Sequence, residues 1–370
     1  MRSLYLLFQH VLYCLFLLSC TQPSAHHKND FIIEKGISTF NNDSFLQRPI
    51  SLRGQWMFYW KQFYRLQDFS PQLEPHLIKV PSRWDHFLEN KKPVGWNGYA
   101  TYRLKITLPD ARKTYRNLGL SFRHFSSAHR VYINDHLLAS TGTVGKTKQS
   151  EKPYLRSYVV KLPPISREFE LIVHVSNHHL AGGGIFNEVL FGSYTGLQTL
   201  RQKYIYFDLI QFGIILFVSF YHFILFLQRK RDRSLLYFSI GAFLISFLSI
   251  VMGDMRYQEF LILEDMTVIF KLAGSLIILE ISCSTLFLAE LYSTAFTRKF
   301  NQIILTISLF LLVITLPLPL ENYPIINNIW VFIILVVIKF SLFIFIRMFQ
   351  KGYPGGKAFL LGGLCFSCII

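Results

Sequence analysis

Cysteine is scarce and unevenly placed. The 370 residues hold five, at Cys14, Cys20, Cys283, Cys365 and Cys368, and none lies between Thr21 and Tyr204. That stretch has no disulfide scaffold and must be held by its own core, for which about 180 residues suffice. Cys365-x-x-Cys368 lies in an apolar run and reads as packing, not as a redox or zinc site. Acidic residues are also few: 22 Asp and Glu face 38 Lys and Arg, a net charge of +16. The excess is uneven. Residues 21–203 hold 25 Lys and Arg against 13 Asp and Glu, and residues 204–370 hold 12 against 9. The basic half reads as the surface of a domain apposed to a membrane, and nucleic acid is set aside as a partner. A phosphate loop is missing too, because neither Lys-Ser/Thr nor a helix follows Gly182-Gly183-Gly184. Between residues 45 and 195 there is no helical period of useful length.

Long apolar runs, by contrast, are plentiful. Hydrophobic residues make up 51% of the chain, with 36 Phe. From Tyr204 onward the runs are long enough to cross a bilayer, which rules out a single soluble domain and a disordered chain. Spans are predicted at about 204–227, 234–252, 266–290, 300–318 and 325–346, and a sixth, cut short, at 357–370. Arg229, Lys230, Arg231 and Arg233 follow the first span, Arg298 and Lys299 the third, and Arg347, Lys351 and Lys357 the fifth; the opposite loops hold only Arg256. Positive residues stay inside, so the N-terminal half lies outside the cytoplasm. Four charges fall inside spans away from their ends. Asp208 and Lys271 share a shallow depth, and Glu280 and Lys339 a deep one, so the pairs Glu280–Lys339 and Asp208–Lys271 are expected inside the bundle.

The N-terminus agrees with that orientation. Met1-Arg2 opens a mostly apolar run from Leu4 to Leu18, too short for an ordinary span, that ends in Leu17-Leu18-Ser19-Cys20 before a polar stretch. This resembles the lipobox of bacterial lipoproteins, which implies lipidation at Cys20. An ordinary cleaved signal or an uncleaved anchor is the alternative. Residues 1–20 are thus a signal segment and 21–44 a linker.

Residues 45–195 show short β-rich runs between turn signals. Tyr102, Leu104, Ile106 and Leu108 alternate on one face, Leu118–Phe122 is a second strand, Arg130–Ile133 turns at Asn134-Asp135 into His136–Ala139, and Phe169–Val175 alternates again. Such spacing predicts an all-β sandwich or jelly roll. Gly54-Gln55-Trp56-Met57-Phe58-Tyr59-Trp60, Val80-Pro81-Ser82-Arg83-Trp84, Gly98-Tyr99-Ala100-Thr101-Tyr102-Arg103, Val131–Asp135 running to Gly142–Gly145, and Val175-Ser176-Asn177 with Gly182–Ile185 come in order. This series resembles galactose-binding-like jelly rolls, with Asp135 standing where Gly is usual. The resemblance implies a carbohydrate or other small-molecule ligand. Loops at one end of such a sandwich carry aromatic platforms with amide or imidazole partners, and Trp84, Trp96, Asn97, Tyr154, His178 and His179 are the candidates. His178-His179 lacks a third ligand for a metal, and no cofactor is expected.

The whole layout, an outer sandwich ahead of an α-helical polytopic bundle, resembles the bacterial seven-transmembrane receptors with diverse intracellular signalling modules. The resemblance implies inner-membrane signalling to a cytoplasmic partner or a fused output domain. The seventh span and any catalytic output would lie past Ile370, so the chain reads as C-terminally truncated and not itself an enzyme. Two other readings stand beside this one. A sugar-cleaving membrane enzyme would need paired carboxylates, and Asp85, Glu89, Asp135 and Glu188 show no such pairing. A transporter or assembly scaffold would suit the intramembrane charges but does not require the outer domain.

Overall fold

A computed structural model of the protein describes residues 33–352, apart from Ala111, His124, Ser126 and 254–264. The leader with Cys20, the linker up to residue 32, Arg256, the Cys365/Cys368 pair and the sixth predicted span lie outside the described residues. The chain divides into two compact units.

The first unit is β-rich. Its strands are β1 (Ile37–Thr39), β2 (Ile50–Ser51), β3 (Gly54–Trp60), β4 (His76–Val80), β5 (Leu88–Glu89), β6 (Lys92–Pro93), β7 (Gly98–Thr107), β8 (Leu118–Phe122), β9 (Ala128–Ile133), β10 (His136–Thr141), β11 (Tyr158–Lys161), β12 (Glu168–Asn177) and β13 (Val189–Ser193). One sheet runs β10-β9-β12-β7-β3-β4, with β1 added in parallel to β7; a second runs β11-β8-β13-β2; β5 and β6 form a separate hairpin. Residues of both large sheets share one core, with Trp56, Phe58, Tyr102 and Leu104 from the first and Leu118, Leu120, Phe122 and Phe191 from the second. The alternation over Tyr102, Leu104, Ile106 and Leu108 matches the buried face of β7 and the residue after it.

Three features differ from expectation. The segment from residue 33, predicted as linker, belongs to the fold. Ile33 is fully buried, Phe40 is buried, and Asp43 accepts from Lys113 Nζ at 2.5 Å and Tyr115 Oη at 2.7 Å. The hydrogen bond from Lys113, then that from Tyr115, holds the Asp43 carboxyl below its ordinary pKa. Next, β12 alternates in sequence but is buried on both faces. Its second face is roofed by the segment after β3: His174 Nε2 lies 2.7 Å from Tyr64 O, Thr101 Oγ1 donates to Gln62 O, and the Arg103 guanidinium stacks 3.9 Å from the Phe69 ring while bridging Glu170. Lastly, Asn134 alone takes positive φ in the β9–β10 turn. A type I′ turn needs it at both central residues, so Asp135 is accommodated by a different turn.

The second unit is helical. After the short α1 (Ser44–Gln47) of the first unit come α2 (Tyr194–Gln228), α3 (Arg233–Met252), α4 (Met266–Leu291), α5 (Ala295–Thr315) and α6 (Tyr323–Gln350). All five long helices are long and apolar enough to cross a membrane. They match the five predicted spans, with two shifts. No proline separates Tyr194 from Tyr204, and α2 starts straight after β13; the α4–α5 connection is short, so Arg298 and Lys299 lie within the first turns of α5.

The interior of this unit includes polar side chains beside an apolar core. On α2, Asp208, Gln211, Ser219 and His222 are buried, whereas Phe217, Phe220 and Ile224 are exposed, as lipid contact requires. Ser219 Oγ donates to Ser239 O at 2.9 Å and Ser239 Oγ donates back to Ser219 O at 3.0 Å, which pins α2 to α3 twice. Gly274 lets α4 and α6 approach, since a Cβ there would lie 2.2 Å from Trp330 Cη2. Gly274→Val should therefore overpack this contact and cost about 1–3 kcal/mol. Thermal melting of the detergent-solubilised chain would read this, with Gly274→Ala losing less.

Candidate functional site

Strand register brings the candidate loops together. Gly98 pairs with Asn177, and Ser176 with Ala128. The turn before β7, the end of β12, the start of β9 and the β10–β11 loop therefore meet at one end of the first sheet. Trp96 is half-buried and Asn97 exposed in the first of these, His178 is buried and His179 half-buried in the second, and Tyr154 is half-buried in the β10–β11 loop.

Hydrogen bonds fix this end. Trp96 O accepts from Trp84 Nε1–H at 3.1 Å and from Asn177 Nδ2–H at 2.9 Å. Asn177 Nδ2 also donates to Leu180 O, while its Oδ1 is buried without a partner. His178 Nδ1 lies 2.5 Å from Asn97 Oδ1, and its Nε2 3.2 Å from Gly145 O. The β10–β11 loop is tied down by its backbone: the N–H of Gly145 donates to Ser176 Oγ at 3.2 Å, and the N–H of Tyr154 donates to Ser127 O at 2.7 Å. The turn bearing Trp96 and Asn97 is thus held from beneath by Asn177, the last residue of β12, and by His178 just after it, so an exposed amide and a half-exposed indole stand on a rigid floor.

Trp84 is not on that surface. It is fully buried and packs edge-on against Trp60, with ring centroids 5.2 Å apart. The glycine run explains its seat: a Cβ on Gly183 would lie 2.1 Å from Trp84 Cε2, so residue 183 must lack a side chain for the indole to fit. Gly182 and Gly184 take positive φ, as a loop pressed this close to the core requires. The run serves Trp84 by close backbone approach.

Sequence reading missed Glu151. Its side chain is wholly enclosed, and its Oε1 accepts from Ser127 Oγ and from the His178 N–H. The available signal was a lone acid between Lys146, Lys148 and Lys152. Among the described residues no group of three or more His, Cys, Asp or Glu is placed to hold a metal ion.

Among the described residues no ion pair joins Glu280 to Lys339 or Asp208 to Lys271. Glu280 is buried and accepts from Ser284 Oγ at 2.6 Å, one helical turn away, whereas Lys339 is exposed on α6. Asp208 is buried near the α3 end, where a Cβ on Gly253 would lie 3.4 Å from its Oδ2, and Lys271 is half-buried. Among the described residues the ion pairs include neither lysine. A hydroxyl on the same helix meets Glu280 without a lysine having to turn inward.

No curated protein matches the chain. Among solved structures it is similar to a GH2 β-galacturonidase from Eisenbergiella tayi bound to galacturonate, at 19% identity over 40% of this chain and 24% of that one, with a TM-score of 0.28. It is similar also to a β-glucuronidase from Ruminococcus gnavus, at 16% identity over 39% and 28%, TM-score 0.28. A glycosyl hydrolase family 2 member from Bacteroides cellulosilyticus shows 16% over 39% and 20%, TM-score 0.30. This chain spans about a quarter of the length of these enzymes. Residues 204–370, the membrane half, match the family described as 7TM diverse intracellular signalling, so this part of the chain is a 7TM-type signalling domain in a multi-pass membrane protein.

Proposed function

We propose that the chain is a bacterial inner-membrane receptor whose outer β domain, a galactose-binding-like jelly roll, senses a small molecule, with carbohydrate the favoured class. Trp96, Asn97, His179 and Tyr154 would contact the ligand. Trp84 and His178 would support them from below. A half-exposed indole beside an exposed amide suits the C–H face and the hydroxyls of a sugar. The observation that carries the reading is the rigid Trp96–Asn97 turn on a domain that precedes a 7TM-type signalling module. Ligand shifts the bundle between two packings only by its difference in affinity for them. A cytoplasmic partner or output domain would read the shift.

The test is a thermal-shift screen of the full chain in nanodiscs against mono- and oligosaccharides, followed by tryptophan fluorescence. A binder at 100 times its Kd should stabilise the β domain by about 2.7 kcal/mol. Trp96→Ala should weaken that binder at least tenfold while costing the unliganded chain under about 1 kcal/mol. If no saccharide stabilises the chain, the carbohydrate reading fails.

A further inference from the structure

Glu151 sits where a carboxylate is costly, because a buried charge must be paired. Its side chain has no exposed surface. Oε1 is taken by Ser127 Oγ, just before β9, and by the His178 N–H, just after β12, at 3.3 Å. Oε2 accepts no hydrogen bond and faces His178 Nε2 at 3.9 Å. The imidazole meets oxygen on both sides, Asn97 Oδ1 at Nδ1 and Gly145 O at Nε2. A ring with both nitrogens facing oxygen uses both as donors only when protonated. The groups facing the pair are Asn97 from the turn before β7, Gly145 O from the β10–β11 loop and Ser127 from the start of β9. Among the described residues no Lys or Arg is within ion-pairing distance of Glu151.

We propose that Glu151 is the positioning residue of the ligand site: through His178 it fixes Asn97 and clamps the β10–β11 loop against the end of β12. This rests on reading the loop end as the ligand site. Three segments far apart in sequence converge on the pair. Without the carboxylate, Ser127 Oγ and the His178 N–H lose their shared acceptor and the imidazole loses the group that it faces at 3.9 Å. Order in these loops therefore depends on Glu151 and His178 together.

Hydrogen exchange by mass spectrometry on the full chain in nanodiscs tests this, with protection corrected for intrinsic rates. At pH 7, protection over residues 142–157 and 174–180 should fall about tenfold in Glu151→Gln relative to wild type, while β3 and β8 keep theirs. His178→Gln should do the same, and the double variant should be no worse than either single one. Asn97→Ala alters an exposed position, serves if the buried variants fail to fold, and should lower protection over residues 174–180. Unchanged protection in Glu151→Gln, additive loss in the double variant, or no effect of Asn97→Ala would each overturn the proposal. A saccharide binder with unchanged protection in Glu151→Gln leaves the sensor reading and removes the clamp; lost protection without any binder does the reverse.

Discussion

Acidifying the full chain in nanodiscs from pH 7 to pH 4 should unfold the β domain while the helices keep their far-ultraviolet signal. Two buried histidines drive this. His129 is fully enclosed, stacked 4.2 Å from the Phe125 ring centroid with Nε2 2.9 Å from Tyr158 Oη, and burial pushes its pKa down to about 3. His174 is roofed by Phe63 and Tyr64, and burial lowers its pKa to about 4 despite the hydrogen bond to Tyr64 O. Each is neutral in the fold and titrates near 6.5 when unfolded. The unfolded chain thus binds more protons as pH falls through 6.5. Stability is fully present above that value and is lost toward the folded pKa values. At pH 4 each histidine forfeits roughly 3 kcal/mol, against about 5–15 kcal/mol for a typical domain. Asp43, its pKa depressed by Lys113 and Tyr115, adds to the loss only at lower pH, below its ordinary 3.8. Tryptophan emission reads the β domain selectively, since Trp56, Trp60, Trp84 and Trp96 lie there and only Trp330 lies in the helices. Replacing both histidines by Gln should lower stability at pH 7 and move the acid midpoint down by about one pH unit. An unmoved midpoint would refute the assignment.

These two histidines also mark where sequence reading stopped. Strands β3 and β8 were legible residue for residue, because Trp56, Phe58 and Trp60, and Leu118, Leu120 and Phe122, recur at alternate positions. The five spans were legible because bilayer thickness imposes a length that few other structures share. The segment from residue 33 was not. Its apolar anchors, Ile33 and Phe40, are too widely spaced to show a period, and β1 is stabilised by pairing with the distant Lys105–Thr107 edge of β7. His174 was also hidden. It occupies the polar position of an alternating strand, and it is buried by the Tyr132 ring and by the segment after β3, which folds back from more than a hundred residues away in sequence.

The candidate site was legible in its position more than in its roles. Motif order put Trp96, Asn97, His178 and His179 near the ends of strands, and the register of β7 with β12 makes those ends neighbours. Which of them faces outward depends on the core beneath, and sequence carries little of that. Glu151 escaped notice because a single acid among lysines looks like solvated surface. In the bundle, depth along a span was readable from residue count, but helix rotation was not. Glu280 and Lys339 match in depth yet differ in exposure.

Trp84 and Trp96 give the clearest separation of a supporting role from a contacting one. Trp84→Ala should cost about 3–5 kcal/mol, the range for deleting a large buried aromatic. The lost ring packs against Phe58, Trp60 and Tyr102, and its removal also leaves Gly183 facing a cavity and Trp96 O with only the Asn177 donor. Trp84→Phe should retain part of the packing but still lose the indole N–H, so it should fall between wild type and Ala. Trp96→Ala removes a half-exposed ring whose backbone carbonyl, the hydrogen-bonded part, is unchanged, and should cost under about 1 kcal/mol. Chemical denaturation followed by fluorescence on the full chain measures all three. If Trp84→Ala proved as mild as Trp96→Ala, the indole would be no core residue, and the Gly182–Gly184 loop would need another reason to press against it. If Trp96→Ala proved as severe as Trp84→Ala, that ring would belong to the core rather than to a binding surface. The ligand reading would then rest on Asn97, Tyr154 and His179.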